Sequence, residues 1–215
     1  MNCVRFVRDQ SGGVLVETTI MLTIVLLVVI GSIDFLFAFY QWNAATKAVE
    51  IGARIAAVSD PVAIGLNRLS AAVISPTLNP EDRMPYFSVT CDGANATCTC
   101  TGACTGVSGY SSPAMNNIVF GRGNSACTAA SSSYYIGMCN IFDRIGVANV
   151  IIAYTQTGLG YVGRPGGPAP TITLSLQNLP FQFFFLGALI GLNNVEIPAM
   201  ATTITGEDLS SGAPL

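Results

Sequence analysis

The stretch from Gly12 to Ile33, GGVLVETTIMLTIVLLVVIGSI, constrains this chain more than any other feature. It is apolar apart from one carboxylate, Glu17, and about 20 such residues are what an α-helix needs to cross the hydrocarbon core of a bilayer. A secretory signal peptide has an apolar core of only about 7 to 15 residues followed by a small-residue cleavage site. This run is longer and continues into patterned helix, so it reads as a single transmembrane helix with the lipid bilayer as its partner. Ahead of it, MNCVRFVRDQSG sets Arg5 and Arg8 against Asp9, a bias that places this end in the cytoplasm and the rest of the chain outside.

Nothing stops the helix at the far boundary. The sequence IDFLFAFYQWNAATKAVEIGARIAAV keeps helical periodicity and holds no proline before Pro61, so a helix over Gly13 to Val58, about 69 Å long, is expected. Phe35, Phe39, Trp42, Val49 and Ala53 share one stripe, and Ala45, Ala48, Gly52 and Ala56 form an adjacent seam of small residues. Such a seam admits close approach of another backbone, either from another helix or from the chain's own outer domain.

Composition removes whole classes of function. Charged residues make up 10% of the chain, against about 25% in soluble domains. With 9 basic and 12 acidic residues there is no electrostatic footprint for nucleic acid. Histidine is absent, which removes the commonest general base and metal ligand and every Ser/His or Cys/His pairing. A serine activated by Lys47, the sole lysine, would lack a Gly-rich nucleophile turn. No enzyme activity, catalytic residue, cofactor or metal is expected.

The outer part reads as α+β, a helix packed on an antiparallel sheet. Asp60-Pro61 opens a second helix through about Val73, with Ile64, Leu66, Leu69 and Val73 among its apolar positions. Strands are expected at Tyr86–Cys91, Asn149–Tyr154, Thr171–Leu176 and Glu196–Thr205, the last with Ile197, Ala199 and Ala201 on one face. GLGYVGRPGGPAP suits a long hairpin loop. Phe181 to Leu192 is too short to span a membrane and is expected to be buried or to face a filament. Between Ile145 and Val195 the only charge is Arg164, so part of this surface should be covered. The expected organisation is a cytoplasmic leader over 1–12, the long helix over 13–58, and an outer domain over 59–215 with a Cys-rich segment at 91–139.

Cys3 lies in the leader, whereas Cys91, Cys98, Cys100, Cys104, Cys127 and Cys139 all fall outside. An even number in an oxidising space predicts three disulfides, replacing a core that the Gly-, Ser- and Thr-rich segment cannot build. The C-x-C-x3-C spacing could offer thiolates to a metal, but no histidine or second C-x2-C pair accompanies it.

Glu17 is the sharpest single residue, because a charge at the centre of a membrane span costs about 2.5 to 3.5 kcal/mol. It either stays hydrated near the cytoplasmic interface or pairs with a positive charge. A cut between Gly12 and Gly13 would supply that charge, with Glu17 the fifth residue after a new amine. At this point the chain resembles the class III prepilin signals of type IV pilins and, among them, the TadE-like minor pseudopilins of tight-adherence (Flp) pilus systems. The resemblance rests on Gly12, on Val16-Glu17, on Gly31 with Asp34-Phe35, and on Ala48 with Gly52-Ala53-Arg54. A weaker echo lies at Gly206-Glu207-Asp208-Leu209. Thr18 stands where the family usually has an aromatic and Thr23 where it often has proline, which leaves the helix unkinked.

The resemblance implies removal of the leader by a prepilin peptidase, an aspartyl protease of the bacterial inner membrane. It further implies that the product assists pilus assembly alongside the major pilin, other minor pilins and the inner-membrane assembly platform. A single-pass anchor presenting a disulfide-stapled binding or adhesive domain, without polymerising, is the alternative.

Overall fold

A computed structural model describes residues 11–127, 136–185, 187, 191, 195–198, 200–206 and 209. Most of the expected leader, with Cys3, lies outside the described residues, as do Ala199 and the Glu207-Asp208 pair. The chain combines one long helix with a five-stranded antiparallel sheet. It divides into two compact units: Met1–Gln41 with Pro180–Val195, and Trp42–Leu179 with Glu196–Leu215.

Helix α1, Ser11–Ala57, is uninterrupted. The hydroxyls inside its apolar run turn back onto the helix: Thr18 Oγ1 donates to Val14 O at 2.9 Å, Thr19 Oγ1 to Leu15 O at 2.7 Å, and Thr23 Oγ1 to Thr19 O at 2.9 Å. Each hydroxyl is thereby satisfied without water, the condition for lying in hydrocarbon. Val14 to Val29 is exposed along almost its whole length, as expected of a helix that is long and apolar enough to cross a membrane.

In the second unit the sheet runs β2-β1-β3-β4-β5, with β1 Phe87–Asp92, β2 Thr97–Gly102, β3 Val150–Thr155, β4 Thr171–Leu176 and β5 Ala201–Thr205. Register aligns Val89 with Tyr154 and Tyr154 with Ile172, and likewise Cys91 with Ile152 and Ile152 with Leu174. The period-two apolar residues of the three central strands therefore share one buried face. The other face is rich in serine and threonine. The loop from residue 156 to residue 170 joins β3 and β4 as the hairpin its glycines and prolines suggest.

Two expectations are corrected. Asp60 to Val73 is not one helix: a 3-10 turn, Leu66–Arg68, leads into the short α2, Leu69–Ala72. Gly65 adopts φ 87°, a left-handed conformation that ends any helix approaching from Asp60. Before it, Ser111 N donates to Val62 O and Ser108 N to Ile64 O, both at 2.8 Å, an extended pairing that consumes the carbonyls a helix would need. Ile64 is consequently exposed while Val62 and Ala63 are buried. The last strand is also shorter than expected. Ile197 is buried and its N–H donates to Leu179 O at 2.7 Å, but only Ala201–Thr205 pairs with β4, and Ala201 is exposed.

Three elements were not expected. Strand β2, TCTCTG, lacks ordinary strand formers other than threonine and sits at a sheet edge. Helix α3, Ser112–Phe120, is capped by Ser111, whose Oγ accepts from Ala114 N at 3.4 Å, with Pro113 in its first turn. Ser-Ser-Pro ahead of the apolar positions Ala114, Met115, Ile118 and Val119 was its available signal. The short α4, Met138–Ile141, lies beside it.

Candidate functional site

Within the first unit, α1 presents two buried polar side chains, Asp34 and Gln41, at 0% and 1% exposure. Seven residues apart, they lie two turns from each other on one helix face. Asp34 Oδ1 accepts from Phe184 N at 3.0 Å and its Oδ2 from Phe185 N at 2.9 Å. Gln41 forms a reciprocal pair with one backbone unit: its Oε1 accepts from Gln182 N at 2.9 Å and its Nε2 donates to Gln182 O at 2.8 Å. Phe181 N donates to Val195 O at 2.7 Å, closing the excursion at its base. The Phe37 ring lies 4.5 Å from the Phe184 ring.

The helix thus supplies side-chain partners to the irregular backbone of Gln182, Phe184 and Phe185. Hydrogen bonds to an ionised acceptor are roughly twice as strong as neutral ones, which suits one carboxylate to holding two N–H groups. Asp34 entered the sequence reading only as part of a motif, and Gln41 was missed. Its signal was a lone amide in the aromatic run FLFAFYQW, in phase with Asp34. Of the Phe181–Leu192 stretch, Phe181 and Phe183 are half-buried, whereas Phe184 and Phe185 are exposed.

Gly12, Gly13 and Glu17 occupy the first turns of α1, and all three are exposed. A Cβ built at Gly12, Gly13 or Gly31 would meet nothing within 4 Å. Among the described residues, then, no packing demands glycine here, even though glycine in a helix costs about 0.8 to 1.0 kcal/mol relative to alanine.

The small-residue seam lies in the second unit, where Ala45, Ala48, Gly52 and Ala56 are all buried. At Gly52 an added Cβ would sit 2.5 Å from Met138 Sδ and 3.2 Å from Leu174 Cδ1. The backbone approach that the seam permits is therefore filled by α4 and β4 of the same chain. The aromatic stripe splits: Phe35 and Phe39 are exposed, while Val49 and Ala53 are buried. Lys47 pairs with Glu50 at 2.8 Å on the exposed side.

All six outer cysteines sit in pairs at disulfide distance: Cys91 with Cys98, Cys100 with Cys104, and Cys127 with Cys139. The first joins directly opposed residues of β1 and β2, with Cα atoms 4.0 Å apart. The second ties the end of β2 to the following loop. The C-x-C-x3-C thiols are therefore divided between two pairs, and among the described residues no cluster of three or more His, Cys, Asp or Glu could hold a metal ion. The β1–β2 turn is fixed by Asp92, which accepts from Ala94 N at 2.8 Å, Asn95 Nδ2 at 2.6 Å and Gln177 Nε2 at 2.7 Å. Hydrogen bonding, first from the Ala94 N–H, holds its carboxyl below the usual range.

A single helix long and apolar enough to cross a membrane, joined to a mixed helix-and-sheet chain with paired cysteines, defines an α+β protein with one candidate membrane anchor. Residues 12–54 match the family model described as TadE-like protein, so this segment is similar to TadE-like proteins. No curated protein and no solved structure matches the chain.

Proposed function

We propose that this chain is a minor pseudopilin of a tight-adherence pilus, cut between Gly12 and Gly13 by a prepilin peptidase and acting in the initiation or assembly of the filament. The observation that carries the reading is the TadE-like match, which begins at Gly12 and ends at Arg54, so that it spans the expected cut, Glu17 and the outer helix. The openness of Gly12 and Gly13 adds support: nothing among the described residues requires glycine there, whereas a protease cleft that must admit extended backbone at a helix start would. In this reading the chain is anchored by one pass in the bacterial inner membrane, with residues 1–12 cytoplasmic, 13–58 as the processed helix and 59–215 as the outer domain.

After cleavage, Glu17 pairs with the Gly13 amine, most usefully that of an adjacent pilin. A carboxylate and an α-ammonium carry opposite charges, so the two attract. At a low-dielectric boundary, pairing offsets two desolvation costs at once. Glu17→Gln keeps shape and polarity but removes the charge. It should leave cleavage and insertion intact while weakening co-isolation with the major pilin, other minor pilins and the assembly platform. Co-isolation at the wild-type level would remove Glu17 from assembly and return it to a hydrated interface.

The second reading, a membrane-anchored binding or adhesive protein that does not polymerise, is favoured by the seam. Ala45, Ala48, Gly52 and Ala56 are buried within this chain and so are not free to pack against a neighbouring helix. A full-length chain retaining Met1 in its native membrane would favour it.

A further inference from the structure

We propose that the Phe181–Phe185 segment is a lipid-contacting wedge, held beside α1 in the headgroup and upper acyl layer of the outer leaflet. The inference rests on α1 spanning a membrane, and not on whether the chain is processed or polymerises.

Depth along α1 comes first. If the hydrocarbon begins near Gly13, a rise of 1.5 Å per residue brings the helix through about 30 Å by Ile33 and about 43 Å by Trp42. The first is the thickness of the hydrocarbon core, and one interfacial layer adds about 5 to 8 Å to it, so Trp42 lies beyond the outer interface. Exposure follows the same ruler. Large apolar residues remain exposed past the core, with Phe35 at 70%, Phe39 at 59% and Tyr40 at 62%, and exposure falls to 37% at Trp42. Asp34 then marks the inner edge of the interfacial layer, and Gln41, roughly 10 Å further along the helix, lies just beyond its outer edge. The wedge backbone is bonded to both residues, so Phe184 and Phe185 are held at the level of Asp34 while Gln182 reaches the level of Gln41.

Backbone satisfaction comes second. Irregular backbone at membrane depth is tolerated only where its polar groups find partners in the protein. The N–H groups of Gln182, Phe184 and Phe185 and the carbonyl of Gln182 are all taken up by two buried side chains of α1, and the N–H of Phe181 by Val195 O.

Side-chain chemistry comes third. Residues 181–185 read FQFFF, without charge, and the rings of Phe184 and Phe185 remain 62% and 48% exposed. The rings of Tyr40, Phe37 and Phe184 succeed one another at 6.3 Å and 4.5 Å. Aromatic residues concentrate at the membrane–water interface. The wedge widens α1's footprint in one leaflet without a second pass.

The test uses the full chain with its only tryptophan removed, Trp42→Phe, and a reporter introduced as Phe184→Trp or, separately, Phe185→Trp. Each variant must first show the wild-type thermal transition. The proteins are reconstituted at low protein-to-lipid ratio in vesicles of phosphatidylethanolamine and phosphatidylglycerol brominated either near the headgroup or near the acyl terminus. At least one reporter should emit blue-shifted light and be quenched twofold or more by the shallow bromines, and less by the deep ones. Quenching no greater than that of an outer-domain control, Tyr86→Trp in the same background, would overturn the proposal. So would a blue shift that disappears on dilution with lipid, because a second copy of the chain would then be the occupant.

Discussion

Asp34 is where the fold depends most on a single acceptor group. Asp34→Ala removes the partners of two backbone N–H groups, at Phe184 and Phe185, in a site where the carboxylate has 0% exposure. Leaving one buried donor unsatisfied costs about 1 to 3 kcal/mol, so the variant loses roughly 2 to 6 kcal/mol of local stability in this segment. At 1.4 kcal/mol per factor of ten, opening should become about 30-fold to 10⁴-fold more frequent. Asp34→Asn keeps one acceptor and turns an NH2 toward the other N–H, so it should fall between wild type and Ala. Hydrogen exchange read by mass spectrometry on detergent-solubilised protein reports this opening in a peptide containing Phe184 and Phe185. Amides of β3 serve as the internal reference. The expected order of exchange is Ala fastest, then Asn, then wild type, with β3 unchanged. Exchange at Phe184 and Phe185 within twofold of wild type in the Ala variant would refute the role given to Asp34.

Three further outcomes follow from the second unit. Gly52→Ala gains about 0.8 to 1.0 kcal/mol of helix propensity but must displace Met138, an overpacking cost of about 1 to 3 kcal/mol; a lowered Tm is expected, and a raised one would show that the seam is not closely packed. Tyr154 is buried and its Oη accepts from Val62 N at 3.1 Å, so Tyr154→Phe should cost about 1 to 3 kcal/mol. Burial also raises the Tyr154 hydroxyl's pKa, so its contribution is complete below the unfolded value near 10 and declines as pH rises above it; wild type should lose stability in that range more steeply than Tyr154→Phe in denaturant titrations, and equal slopes would contradict this. Alkylation without reduction should leave all six outer cysteines unlabelled, and with sequence separations of 7, 4 and 12 each bridge should contribute about 2 to 3 kcal/mol by loop entropy; two or more free thiols would refute the pairing.

Much of this architecture was legible because its signals are local. The apolar run and its unbroken helical periodicity up to Pro61 gave α1, and strict alternation gave β1, β3 and β4 to within a residue or so, because a strand with one buried face must repeat every two residues. The failures occurred where distant contacts override local preference. Asp60-Pro61 is a sound helix opening, yet pairing of Val62 and Ile64 with residues 108–111 captured that backbone. Strand β2 carries no hydrophobic alternation because cysteines and an edge position replace it. The Asp34–Gln41 arrangement spans more than 140 residues of sequence, and only the in-phase polar residues on an apolar helix hinted at it. The seam was visible as a seam, but its occupant, Met138 and Leu174, was not, since small residues record close approach without naming what approaches.

The central claim is that α1 is a processed pilin-type helix, and the most direct measurement is the intact mass and N-terminal sequence of the protein isolated from its native membrane. A mature chain beginning at Gly13, with Glu17 as its fifth residue, is the predicted result. A chain that retains Met1, or one that begins anywhere other than Gly13, would contradict it.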